Sequence, residues 1–539
     1  MAARSKWSVA AVLILTATFI ISCGTGTGSS ESAVTPSVET AGENGGFEDL
    51  NLGEIQDLEF SDTGATLDFN GEAGGSDYLL IVNSTSKSTG DTTLQLARGT
   101  SSLSSDPVAL ALEDPEEDSG SQFHQFLREM EEVFSESEEF EEVSLSSLAA
   151  LSAAPKVGET KPFRVLSTMG SITTYTEVNG KLRLASGDLH IYVDQTAEAL
   201  VTDEDLEKLA DDFEGIALPR ERELFGDESD INFDGHISIL MTCVLNRMAT
   251  AGGIVTGFFF PGDLYQRSTA NPASNAQEIF YTMVPDPKGD CGASPISKSF
   301  VIDNILPGVL AHEYQHMASF NQHLLRNGGP TEEPWLNECL AHLAEDLTGF
   351  GKENPSRAKL FLNQPAKTPI IPPTSPTLAE RGGCYLFLRY LYEQAGDGKG
   401  FLQRLLNTRL TGVANLEAAF AGADPAFDQF PEFVNRWSVT LSLSETGLTS
   451  DPRYNYKARS IDPETANFTG VCIRCDAQDG RGTVLDGPVM TSVSSFPISS
   501  TLKATASEFY RLNAPSGTIR LNAGGTPELA GTLVRLEKN

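Results

Sequence analysis

The segment PGVLAHEYQHMASF, residues 307–320, carries two of the chain's seven histidines around one glutamate. On a helix, His312 and His316 lie four residues apart and share a face, with Glu313 beside them. A zinc ion needs neutral imidazoles converging about 2 Å from one point, and this spacing supplies two of them. A glutamate next to such a pair is placed to take a proton from a water there, the work of a general base. Leu310, Tyr314 and Met317 fall on another face and can pack inward. A core helix would carry such residues only by chance, and a third ligand downstream separates the two readings. His323, Glu332, Glu333, Glu338, His342 and Glu345 follow. Glu332 and Glu333 precede Pro334 in a loop-like stretch. Glu338 opens the apolar, helix-like run WLNECLAHLAED, and a second helix packed across the first would aim one carboxylate at both imidazoles.

A weaker site precedes these. Asp230, Asn232 and Asp234 with Gly235, in DINFDGHI, follow the first positions of a calcium loop, but its twelfth position, which needs a bidentate glutamate, is Met241. Calcium there would need Asp227 or Glu228 as a further ligand, and the simpler reading is an Asx-rich turn. His124, His190, His236 and His323 have no ligand-like partner in sequence and read as surface or turn histidines.

Positioning the 307–345 residues requires a scaffold, and residues 156–445 supply its elements. FRVLST, ITTYTEV, KLRLAS, LHIYVD, HISILMT, GIVTGFFF and EIFYTMV read as strands, and Thr202 as the cap of the helix DEDLEKLADDFEG. Helical segments follow: the His-Glu-His helix, the stretch around Trp335, CYLFLRYLYEQAG, FLQRLLN and EFVNRWSVTLSL. Strands first and helices after give an α+β domain. Residues 51–112 read as a small β-domain and 446–539 as a second one. Between them and the central region, residues 113–155 are strongly acidic. Phe123, Phe126, Leu127, Met130, Val133 and Phe134 fall there at helical spacing, which gives an amphipathic helix. A solvated linker is the favoured reading of that helix, ahead of a cover for a cleft.

The remaining features concern location. Arg4 and Lys6 precede an apolar run too short to read as a membrane span, so residues 1–22 read as a signal peptide. The run ends in Ile20-Ile21-Ser22-Cys23, which resembles a bacterial lipobox and implies a lipid on the Cys23 thiol. Residues 23–50, rich in Gly, Ser and Thr, then read as a flexible tether. An exported, lipid-anchored protein of the cell envelope, at the outer membrane or cell surface, is the expectation. With 74 acidic against 38 basic residues and a net charge of -36, nucleic acid and anionic membrane surfaces are excluded as partners. Cys243, Cys291, Cys339 and Cys384 form an even set with three possible connectivities, and Cys472 and Cys475 a local pair.

HEYQH followed after 21 residues by Glu338 in WLNE resembles the gluzincin metallopeptidases. FGDESDINFDGHISILMT, GGIVTGFFFPGDL, EIFYTMVPDP, LAHEYQHM, WLNE and YLFLRYL occur in an order similar to the hyicolysin-like family of bacterial metallopeptidases, across about residues 156–445. The resemblance implies a zincin-like domain and one catalytic zinc on His312, His316 and Glu338. It further implies Glu313 as general base and cleavage of protein or peptide substrates. Two positions depart from it. His342 stands where an acidic residue often orients a zinc histidine, so that Glu345, a turn further on, is the substitute. Arg381 stands where the family's oxyanion-binding tyrosine would be, with Tyr385 one turn away. These departures keep open a peptidase-like surface protein that binds a host or matrix partner without cutting it.

Overall fold

A computed structural model describes residues 46–537 except 62–63, 73–74, 88–89, 100–118, 137–154, 169, 249–252, 293, 374–375, 421–426, 478, 480–481 and 525–527. Cys23 and the sequence around it lie outside the described residues. The alternating segments of the central region form one six-stranded sheet. Its order is Thr160–Leu166, Tyr175–Ala185, Leu189–Asp194, Ile237–Met241, Ile279–Thr282 and Gly257–Phe259. The first three strands are antiparallel, the third to fifth run parallel, and Gly257–Phe259 closes the sheet antiparallel. Parallel neighbours need a crossover, supplied between the third and fourth strands by the helices Asp203–Asp212 and Leu218–Phe225. Thr202 starts the first of these with a capping box: its hydroxyl accepts from the Asp205 N–H, and the Asp205 carboxylate accepts from the Thr202 N–H. LHIYVD and ISILM are buried at every position, the mark of strands covered on both faces.

Three helices then build the site: Leu306–Phe320, Pro334–Leu347 and Leu378–Gln394. Strands before helices in this region make it α+β, as the sequence indicates. The first helix lies close to the last strand of the sheet because Gly257 has no side chain: a Cβ there would stand 2.5 Å from Val309 Cγ1. Gly382 does the same for the third helix, since a Cβ there would stand 2.1 Å from the Arg357 carbonyl oxygen. Disulfides join Cys243 to Cys291, Cys339 to Cys384 and Cys472 to Cys475. The second of these ties the Glu338 helix to the Arg381 helix.

The strand-rich stretches at the two ends pair with each other. One sheet has the order Ile55–Asp57, Leu529–Leu536, Asp77–Ser84, Ser507–Leu512 and Thr491–Val493; the other Ile498–Lys503, Asp91–Arg98, Ser516–Ala523 and Gly64–Glu72. Leu67, Phe69, Tyr78, Leu80, Val82, Leu94, Ile519 and Leu533 share the core between them. Leu79 and Ile81, on the other face of Asp77–Ser84, join the core of the central region. Across that junction Asn83 donates to Asn435 Oδ1 and accepts from Ser438. Each strand of the first end pairs only with strands of the second end, so the first end forms no sheet by itself among the described residues.

The acidic helix, Ser119–Glu136, is not a solvated linker. Phe123 meets Phe258 edge-on at 5.1 Å, and Phe134 meets Phe260 at 5.7 Å and Tyr265 at 5.3 Å. Val133 faces outward, 41% exposed, while the rest of the apolar stripe packs inward. Among the described residues no helix is long and apolar enough to cross a membrane.

Candidate metal centre

Pro307 lies in the first turn of Leu306–Phe320, where its missing N–H leaves no bond unmade. His312, Glu313 and His316 are buried along with Leu310, Tyr314 and Met317, since the second helix covers the face that sequence assigns to a cleft. Pro334 likewise opens the second helix and places Glu338 one turn in.

His312 Nε2 stands 3.4 Å from Glu338 Oε2, and His316 Nε2 stands 3.6 Å from Glu338 Oε1. All four atoms are buried and none has a hydrogen-bond partner. Leaving a buried polar atom unmet costs about 1–3 kcal/mol, so four facing one another need a common partner. Donors each about 2.1 Å from a tetrahedral centre stand about 3.4 Å apart, which matches the spacing of each histidine from Glu338. Ligand atoms of all three residues do not lie within 4.8 Å of one another, so a shared zinc ion would draw the two imidazoles closer together.

The far sides of the imidazoles are held. His312 Nδ1 is 2.8 Å from Glu345 Oε1, and His316 Nδ1 is 3.2 Å from Asn337 Oδ1. Glu345 therefore stands behind a histidine of the pair, in the place that the sequence offered it. His342 Nδ1 shares Glu345 Oε1 at 2.8 Å, and Arg357 faces Glu345 Oε2 at 3.6 Å. Burial lowers the His312 imidazole, but Glu338 and Glu345 outweigh it and raise it to about 9. Burial raises the Glu338 carboxyl, yet Arg381, His312 and His316 hold it well below the usual range. Burial, with the charge of Arg128, keeps His316 well below its ordinary value and neutral, as a ligand requires.

Glu313 lies beside this group. Its Oε2 accepts from the Phe259 N–H at 2.9 Å, and burial pushes its carboxyl up to about 7, against His312 and Arg128. Arg381 is brought to the same place, with Nη1 3.1 Å from Glu338 Oε2 and Nη2 buried without a partner. Tyr385 is engaged elsewhere. Its hydroxyl interacts with Asp346, and it lines a separate cavity of about 380 Å³ with Asp346, Lys352 and Asp479.

The remaining sequence candidates form other groups. Glu332 Oε1 and Oε2 accept from the Gly412 N–H and Asn415 Nδ2, 3.9 Å from buried His323, while Glu333 accepts from the Trp335 indole. The 230–236 segment closes on itself. Asp230 accepts from the Gly235 N–H, Asn232 and Asp234 bond each other, and Asp234 accepts from the His236 N–H. Glu228 is taken by Arg222 and Tyr314. This is the Asx-rich turn, with its oxygens spent on protein hydrogens. His190 is buried and stacked on His236 at 4.0 Å, so neither it nor His323 is a surface histidine.

His124 is the residue that sequence reasoning missed. From the acidic helix it reaches the centre, its ring 5.8 Å from that of His312. One potential ligand atom from each of His124, His312 and Glu338 lies within 4.8 Å of the others. A signal was present: His124, Arg128 and Glu131 recur at i, i+4 and i+7, a polar stripe beside the apolar one.

No protein-family model matches the chain. Over 303 residues the sequence is 28% identical to the neutral metalloprotease ShpI of Staphylococcus hyicus, which covers 52% of this chain and 65% of that one. The chain thus spans less than two thirds of that relative's length. The similarity supports a relationship to metalloproteases.

Proposed function

We propose that the chain is a zinc-dependent endopeptidase of the gluzincin type, similar to the hyicolysin-like enzymes, with a zincin-like central domain. The observation that carries this reading is the convergence of His312 Nε2 and His316 Nε2, both buried without a hydrogen-bond partner, on the buried Glu338 carboxylate. His312, His316 and Glu338 would hold a zinc ion, which would make a water acidic enough to lose a proton near neutral pH. Glu313 takes the water's proton at its free carboxylate oxygen and returns it to the leaving amine. Burial raises the Glu313 carboxyl above the usual carboxylate range, which strengthens it as a base. The Phe259 N–H fixes its rotamer. Arg381 Nη2 is a buried donor with nothing to bond, and it is the candidate to meet the oxygen that gains charge on the substrate carbonyl. Gly257–Phe259, the last strand of its sheet, offers an edge along which an extended peptide can lie.

Export and a lipid on Cys23 belong to the same proposal. They rest on the lipobox-like sequence and on three disulfides, which suit an oxidising compartment. Replacing Cys23 by Ser should move the protein out of the membrane fraction.

The deciding experiment measures zinc per chain and peptide cleavage together. Wild type should hold about one zinc, and His316→Ala should lose it. Glu313→Gln should keep the zinc and cleave about 10²- to 10⁴-fold more slowly. If zinc-loaded wild type and His124→Ala both cut no protein or peptide, a peptidase-like binding protein replaces this reading.

A further inference from the structure

We infer that the helix Ser119–Glu136 is a built-in plug of the metal centre, with His124 as the ligand that fills the position reserved for water. The inference rests on the zinc reading above and adds to it a resting state for the intact chain.

Three observations point to it. The first is the placement of His124 within ligand range of His312 and Glu338, with its Nδ1 buried and unpartnered. The second is the polar stripe that accompanies it. Arg128 is 3% exposed and Glu131 2%, and they pair at 2.6 Å. Asn337 Nδ2 donates to Glu131 Oε2 at 3.1 Å, while Asn337 Oδ1 holds His316. The helix therefore joins the network that orients a metal ligand. Third, Phe123 and Phe134 anchor it on Phe258, Phe260 and Tyr265, on and just after the edge strand. It occupies the ground an extended substrate would need.

A linker helix gains nothing by burying a histidine, an arginine and a glutamate, since each loses hydration. Here the loss is offset in part by Glu131, which pairs with Arg128 and accepts from Asn337. His124 Nδ1 and the Arg128 guanidinium are left buried without a hydrogen-bond partner, and His124 lies within ligand range of His312 and Glu338. Three protein ligands leave a zinc site open for catalysis, whereas four close it. His124 lies within 4.8 Å of His312 and Glu338, and His316, 3.6 Å from Glu338, would complete four protein ligands and close the site. Displacing the helix would reopen the fourth position and uncover the edge strand in one movement.

The test uses the intact chain loaded with cobalt(II), whose visible spectrum reports its ligands. Wild type should give a four-protein-ligand spectrum that added acetohydroxamate does not alter. His124→Ala should shift the spectrum, make it respond to acetohydroxamate and weaken zinc binding in chelator competition by about 10-fold or more. Its peptide cleavage should rise at least about 10-fold over wild type, because a closed site becomes an open one. The double variant Phe123→Ala, Phe134→Ala keeps the histidine but loosens the anchor, and should move every readout the same way. A wild-type spectrum that already responds to acetohydroxamate, and that His124→Ala leaves unchanged, would overturn the plug while leaving the zinc centre intact. Failure of both proteins to take up cobalt or zinc would overturn the metal reading and the plug together.

Discussion

Glu345 holds three groups at once: His312 and His342 through Oε1, Arg357 through Oε2. A carboxylate behind a ligand histidine fixes its tautomer and raises its basicity, and its loss typically weakens metal binding about 10- to 100-fold. Glu345→Gln should therefore bind zinc that much more weakly in chelator competition, with the fold retained. His342→Ala should do less, because Glu345 still reaches His312. An equal effect of the two would mean that His342 contributes directly. Arg381→Ala, made in the His124→Ala background, should lower kcat about 10²-fold with KM little changed and zinc retained, and Arg381→Lys should recover part of it. Loss of zinc instead would assign the guanidinium to holding Glu338. The motif helix and Glu338 were readable from sequence because helical spacing dictates geometry within one or two elements. His124 was not, because its contact with His312 is made by the tertiary fold, and the polar stripe it shares with Arg128 and Glu131 marks a helix face but not what that face meets.

At the scale of elements, the centre depends on how two helices are held against each other. Cys339 follows Glu338 directly, and its disulfide to Cys384 lies one turn past Arg381. The Gly382–Gly383 pair lets that third helix approach its neighbours. Closing a loop of 45 residues contributes about 4 kcal/mol in the chain-entropy account. The double variant Cys339→Ser, Cys384→Ser should lose about that much in denaturant unfolding and bind zinc more weakly as well. Removing Cys472–Cys475, three residues apart, should cost far less and leave zinc binding unchanged. Equal losses would break the link between this disulfide and the centre. Sequence limited these cysteines to a few pairings but could not choose among them, since the choice is made by which helices pack. The strands at the two chain ends show the same limit. Their alternation was readable, but their partners lie more than 400 residues away, as in Asp77–Leu536, and nothing local announces them.

The whole molecule carries a net charge of -36, and several carboxyls outside the proposed ligand set are buried. Burial pushes Asp263, Glu278 and Glu332 each up to about 7, against hydrogen bonds that favour their charged forms. A carboxyl whose pKa is higher in the folded chain than in the unfolded one binds protons better when folded. Its contribution is full below the unfolded value, near 4, and is lost as pH rises through about 7. Mutual repulsion among the surface acids acts in the same direction. The buried carboxyls make the metal-free chain less stable at pH 8 than at pH 5.5, against buried His190 and His323, whose lowered imidazoles act in the opposite direction. Working without metal avoids the opposite trend from proton release on zinc binding. Glu278 isolates the effect. Its Oε1 accepts from the Ser229 hydroxyl at 2.6 Å and the Ile231 N–H at 2.9 Å, and its Oε2 is buried without a partner. Gln at this position keeps the accepting oxygen and cannot ionise. Glu278→Gln should be more stable than wild type, and its advantage should be larger at pH 8 than at pH 5.5 by an amount on the order of 1–3 kcal/mol. A difference of the same size and sign at both pH values would locate the cause in packing and remove the titration argument.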